Sequence, residues 1–123
     1  MAHLEEENID GVTVLHIRGN LMSDGLLGIE PRFHALAQEH EVRIVVDMGQ
    51  VGALTTPSIT LMLRTTRAVA GNQGRIIFAN LQPTIARMFA CCRLDLVLKF
   101  APDVAEAVRE CASGSQLTGA SRD

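Results

Sequence analysis

The chain has 123 residues, of which 47% are hydrophobic and 20% charged; this is one domain's worth of length, and a composition that argues against disorder over most of it. Eleven basic residues against fourteen acidic ones leave a net charge of −3, which offers no footprint for a polyanion and argues against a dedicated nucleic-acid binder. Aromatic residues make up 3%, with neither Trp nor Tyr, so platforms for stacking bases, sugars or flat cofactors are scarce.

Leu4 to Ile9 contains Glu5-Glu6-Glu7 and suits only an edge strand. Asp10-Gly11, a dipeptide favoured in hairpin turns, would pair it with the next strand. That strand is Gly11 to Gly19, where Val12, Val14 and His16 alternate with Thr13, Leu15 and Ile17. Residues 20–30 hold Asp24-Gly25 and Gly28 and are expected to turn loosely. A helix is expected to begin near Glu30-Pro31, with the proline in its first turn and Phe33, Leu36 and Ala37 along one face. Arg43-Ile44-Val45-Val46-Asp47 is a short run of the kind buried in parallel sheets.

Thr55-Thr56-Pro57-Ser58 predicts a helix start, with Thr56 as N-cap and Pro57 at the first helical position. The helix would run to Ala70, where Gly71-Asn72 stops it. Ile59, Met62, Leu63, Thr66 and Ala70 fall on one face, and Thr60, Arg64 and Arg67 elsewhere. Leu61 lies off the stripe and is expected to be exposed. Arg75 to Ala79 is another buried type of strand. Pro83 to Phe89 reads as a short helix with Ile85, Met88 and Phe89 inward, and Leu96 to Phe100 as a short extended piece. A last helix, begun by Pro102, covers Asp103 to Cys111 with Val104, Ala107 and Val108 inward. The expected domain is 1–111; the small polar residues of 112–123 read as a flexible tail. The alternation is that of an α/β protein with a mostly parallel sheet and short connections.

Residues able to carry chemistry are sparse. Cys91 and Cys92 are adjacent, and with Cys111 they form neither a CxxC nor a zinc-like spacing. Reduced thiols in a cytoplasmic protein are expected, with the adjacent pair as small apolar packing. His16, His34 and His40 lack ligand spacing, so no metal is expected. Asp47 has no partner acid, base or nucleophile arranged with it in sequence and is expected to accept hydrogen bonds from the following turn. A phosphate loop of the GxxxxGK[ST] type is absent; no catalytic residue and no cofactor is expected. Arg64, Arg67 and Arg75 read as a solvated basic face. The acidic start, Met1 to Glu7, is unlike a signal peptide, and no apolar run approaches the roughly 20 residues of a bilayer span, so direct membrane insertion is not expected.

Four stretches, in order and spacing, resemble the STAS domain, the fold of the anti-sigma factor antagonists of bacterial partner-switching systems. They are Gly11 to Leu15 through Gly19-Asn20-Leu21, Ile44 to Met48 with Val51 and Leu54, Thr55 to Ile59, and Gly74 to Pro83 with Leu94-Asp95. The resemblance spans roughly residues 5–110 and implies a mixed, mostly parallel sheet of about four or five strands with about four helices. In that family the third stretch usually reads Asp-Ser-Ser-Gly, and its first Ser or a Thr is phosphorylated by a kinase that is itself the anti-sigma factor. Here Thr55 stands at the Asp, Thr56 at the phosphoacceptor, Pro57 at the second Ser and Ser58 at the Gly. Met22 stands where an acidic residue is often found.

The resemblance thus implies a non-enzymatic module that binds an anti-sigma factor with serine/threonine kinase activity, ATP belonging to that partner, and that works as a monomer or weak dimer. Thr56 is the implied phosphoacceptor, with Thr55 and Ser58 as alternatives. Met22, Thr55, Pro57, Ser58, Thr60, Leu61 and Arg64 form the implied partner surface. A phosphate at the positive end of a helix would add a charge of about −1.5 to −2 beside that surface and turn docking off. The missing Asp favours an alternative: a constitutive adaptor of an ABC-type lipid-transport ATPase or a signalling scaffold.

Overall fold

In a computed structural model, which describes residues 2–120 (the backbone alone for 23–25 and 113–120), Asp10 and Gly11 both adopt left-handed backbone, with φ 54° and 81°. That is the geometry of a two-residue turn whose twist matches its strands. Strands β1 (His3–Ile9) and β2 (Val12–Arg18) accordingly pair antiparallel, with Ile9 opposite Val12 and Glu5 opposite His16. The acidic residues lie on the sheet edge, where they discourage pairing with another chain.

Helix α1 spans Ser23–Ala37 and so begins well before Glu30, with Pro31 inside it. Residues 23–30 therefore do not form the loose turn expected of them. Ile29, Phe33, Leu36 and Ala37 are buried, and Leu26 packs against the same core. This apolar stripe outweighs the weak helix propensity of two glycines and a proline. The bare Gly28 also admits the carbonyl of Ala2, which would lie 3.0 Å from a Cβ there.

The remaining elements are β3 (Arg43–Gln50), α2 (Thr56–Gly71), β4 (Arg75–Ala79), α3 (Pro83–Cys91), β5 (Phe100–Ala101) and α4 (Val104–Ala120). The sheet order is β1-β2-β3-β4-β5, with only β1 and β2 antiparallel. In place of an extended piece over 96–100, Leu94–Leu96 forms a 3-10 turn before the two-residue β5. Leu94 and Leu98 turn into the core while Leu96 and Val97 stay exposed, a spacing that no strand provides.

One face of the sheet carries α1, α2 and α3 over a core that includes Phe33, Ile44, Met62, Phe78 and Phe89. The other carries α4, whose Ala107, Val108 and Cys111 pack on Val14, Val45 and Ile77. Asp103 caps α4, accepting the Glu106 amide at 2.8 Å. The helix continues through 112–120, where a tail was expected; no proline interrupts it, and residues 121–123 lie outside the described ones. Cys91 and Cys92 are exposed rather than packed, because they close α3 on its outer side. Cys111 is buried, its thiol 3.6 Å from the Ile44 carbonyl, and burial pushes its pKa up to about 11, which leaves it inert.

Helix α2 departs from its expected phase. Its buried residues are Ser58, Leu61, Met62, Thr65 and Val69, so Leu61 is a core residue at 5% exposure. Two polar side chains occupy core positions, and a hydrophobic stripe drawn without them is rotated by about one residue, or 100°. No described helix is long and apolar enough to cross a membrane.

Candidate functional site at the start of helix α2

Strands β2, β3 and β4 run parallel and end on the same side of the sheet. There the segment 51–55 carries the chain from β3 into α2. Asn20 accepts the Gly52 amide at 2.9 Å, and the Gln82 amide donates to the Gly49 carbonyl at 3.0 Å. Leu21 and Leu54 form a parallel bridge, closed by Leu21 N–H to the Ala53 carbonyl (2.9 Å) and Thr55 N–H to the Leu21 carbonyl (3.1 Å).

The Leu21 carbonyl anchors the helix start as well. It accepts the Ser58 hydroxyl at 2.8 Å and faces the Thr55 hydroxyl at 3.4 Å, while the two hydroxyls lie 3.1 Å apart. Thr55, one residue earlier than expected, is the N-cap, and it caps with backbone only: its carbonyl accepts the amides of Ser58 and Ile59. Its hydroxyl is drawn to Leu21 instead, which is why Thr56 is displaced from the capping role and becomes the first helical residue.

This anchoring divides the implied site residues. Ser58 is fully buried and Thr55 half-buried, whereas Thr56 and Pro57 are exposed. Thr60 and Arg64 are exposed on the following turns, with the Arg64 guanidinium 3.5 Å from the Glu30 carboxylate of α1. Met22, at 45% exposure, precedes α1 next to the Leu21 anchor, and Leu27 on α1 is 75% exposed. Leu61 is missing from this surface, since it points into the core. No acidic residue stands in the first turn of α2, so the positive end of a 16-residue helix is not neutralised by its own side chains. Thr56 places an exposed, hydroxyl-bearing side chain at this positive end.

A second polar cluster went unread in the sequence. The His16 imidazole bridges Asp47 on β3 (Nδ1 to Oδ2, 2.6 Å) and Glu7 on β1 (Nε2 to Oε1, 2.8 Å). Asp47 also accepts the Gly49 amide at 3.0 Å and the Asn80 side-chain amide at 3.2 Å, the first of which is the turn contact expected of it. Partial burial alone would lower the pKa of His16, but hydrogen bonds and charge from Glu7 and Asp47 prevail and raise it. For Asp47, burial would raise the pKa, and the Gly49 amide, His16 and Asn80 bring it below the ordinary value. The signal was available: a two-residue turn at Asp10-Gly11 places Glu5 opposite His16 and Glu7 on the diagonal. Among the described residues no group of three His, Cys, Asp or Glu could hold a metal ion.

A family model described as the STAS domain matches residues 3–107. No curated protein matches. Among solved structures, a STAS domain protein from Planctomyces limnophilus is 20% identical, with a TM-score of 0.80 over 91% of this chain and 99% of that one. An anti-sigma factor antagonist from Mycobacterium paratuberculosis is 19% identical, with a TM-score of 0.79 over 90% and 94%. The Bacillus cell fate determinant SpoIIAA in its phosphorylated form is 20% identical, with a TM-score of 0.66 over 89% and 98%. At these identities the likeness is one of fold.

Proposed function

Because the chain belongs to the STAS domain family, we propose that it is a non-enzymatic regulatory module that docks an anti-sigma factor kinase beside the start of α2 and is switched off by phosphorylation of Thr56. The observation that carries this reading is the exposure of Thr56 between two anchored hydroxyls. Thr55 and Ser58 are engaged with the Leu21 carbonyl, so Thr56 is the residue of the three that offers its hydroxyl to a kinase. Unmodified, the surface of Met22, Pro57 and Thr60 is uncharged, with Arg64 at its border. A phosphate on Thr56 would add a charge of about −1.5 to −2 and three strongly hydrated oxygens. A partner covering Pro57 would have to strip that hydration, which opposes docking. Solved anti-sigma factor antagonists of this fold, SpoIIAA in a phosphorylated form among them, support the same reading. The test is to incubate the protein with the anti-sigma factor kinase and ATP and map the modified residue by mass spectrometry. Phosphate on Thr56, with loss of the complex, is expected; modification of Thr55 or Ser58 alone, or of neither Thr56 nor any neighbour, overturns the switch.

One observation favours a second reading, that of a constitutive adaptor for a transport ATPase or a scaffold. Position 55 holds a hydroxyl committed to Ser58 and Leu21 in place of the family's carboxylate. Pull-downs with Thr56→Ala and Thr56→Glu separate the two. A switch predicts that only Thr56→Glu loses the partner; an adaptor predicts that both variants retain it equally.

A further inference from the structure

Among the described residues the sheet ends at β5, with no strand beyond it. Phe78 N–H donates to the Lys99 carbonyl and Asn80 N–H to the Ala101 carbonyl. The alternation of a parallel ladder therefore turns the backbone N–H and C=O of Phe100 to the outer side. A cavity of about 420 Å³ lies between β5, α3 and the 3-10 turn. It touches Phe100, which packs with the core under α1, α2 and α3, and Ala101, which packs with α4. A cleft that passes the free edge of the sheet meets residues of both faces in this way.

The lining is apolar but for one group. Phe89 and Phe100 meet there, with ring centroids 5.7 Å apart, and Leu81 stands with them. Ala86 and Ala90, one turn apart and exposed on α3, contribute only methyl groups, which leaves the space between helix and strand open. Asp95 is the single charged residue of the lining. Among the described residues it forms no ion pair. Arg87, Arg93 and Lys99, the cations near it in sequence, are outside the lining. The carboxylate is thus not neutralised by the chain, whose net charge of −3 also favours the approach of a cation. An anion is repelled here, and a neutral molecule gains nothing from the charge. A cation on an apolar body uses both parts of the lining, and the volume falls within the range of small-molecule sites, about 300–1,000 Å³.

We propose that the cleft between α3 and β5 is a binding site for a small primary amine with an apolar body. The body lies against Phe89, Phe100 and the two alanines, and the ammonium donates to the Asp95 carboxylate. The outward Phe100 carbonyl is a second, neutral acceptor for the three ammonium protons. No residue of α2 lines the cleft, so it is separate from the Thr56 surface.

Three probes that share one body and differ in charge test the site: 3-phenylpropylamine, 3-phenylpropanol and 3-phenylpropionate, titrated at pH 7 and followed by amide chemical shifts. The amine is expected to saturate shifts at Ala86, Ala90 and Phe100. It is expected to bind about two- to fivefold more tightly than the alcohol, the gain of a solvent-exposed ion pair, with the carboxylate weakest. Asp95→Asn, at an exposed position, is expected to bring the amine to the level of the alcohol. Ala90→Leu fills the cleft from an exposed helix position and is expected to abolish binding of all three without lowering the melting temperature. Arg87→Gln, on the same helix but outside the lining, leaves binding unchanged. Absence of saturable shifts at these amides overturns the site, as does an amine that binds no better than the propionate. Full amine preference in Asp95→Asn, or wild-type binding in Ala90→Leu, overturns it as well. None of these outcomes depends on a kinase, so this site and the Thr56 switch stand or fall separately.

Discussion

Thr56 and Ser58 both carry a hydroxyl at the positive end of α2, and the carbonyl of Leu21 separates their roles. Ser58 is buried with its hydroxyl 2.8 Å from that oxygen; Thr56 faces solvent. Ser58→Ala removes a buried hydrogen bond while the Thr55 amide still satisfies the carbonyl, so a loss of about 1 kcal/mol is expected in urea denaturation. Leu61→Ala opens a cavity in the core and is expected to cost about 2–5 kcal/mol. Because Leu61 is 5% exposed, partner affinity measured on the folded fraction is expected to stay unchanged. A direct contact role for Leu61 would instead lower affinity with little loss of stability.

At the scale of elements, α1 and α2 show why helix boundaries and faces are harder to read than helix existence. Pro31 suggests a helix start by its fixed φ and missing N–H, but the apolar stripe Leu26, Ile29, Phe33 continues on both sides of it and finds the sheet. The proline is exposed within the helix and breaks one backbone hydrogen bond. Pro31→Ala restores that donor without disturbing the core. A gain of about 1–3 kcal/mol is expected, read as a higher urea midpoint with an unchanged slope. In α2, Ser58 and Thr65 take core positions that a hydrophobic pattern assigns to solvent. Buried hydroxyls have no signature in periodicity, since their partners are carbonyls of other elements. The hairpin, by contrast, was legible down to its register, because a two-residue turn fixes every pair that follows it.

For the whole molecule, the His16 bridge links β1, β2 and β3, and Asp47 extends it to Asn80 beyond β4. An imidazolium donates to both carboxylates; neutral imidazole has one N–H and leaves one of them facing a lone pair. His16, whose pKa is raised in the fold, contributes stability that is complete below about pH 6.5 and is lost as pH rises through the raised value. Asp47, whose pKa is lowered, contributes stability that is complete above about pH 4 and is lost as pH falls through the lowered value. The melting temperature is therefore expected to be highest between about pH 4 and 6.5 and to decline on both sides. His16→Gln should flatten the alkaline limb, and Asp47→Asn the acid one. An alkaline limb unchanged in His16→Gln would show that the bridge contributes nothing to stability.

The order of strands and helices, the hairpin register and the position of Thr56 at the start of an apolar helix were all set by local spacing, turn chemistry and patterning, properties carried by neighbours along the chain. Only the tertiary structure decided which hydroxyl at the α2 start is exposed, which way Leu61 faces, and that Glu7, His16 and Asp47 share one bridge. Each of those depends on groups brought together from separate strands, and the distance between such groups is a property of packing that no window of sequence contains.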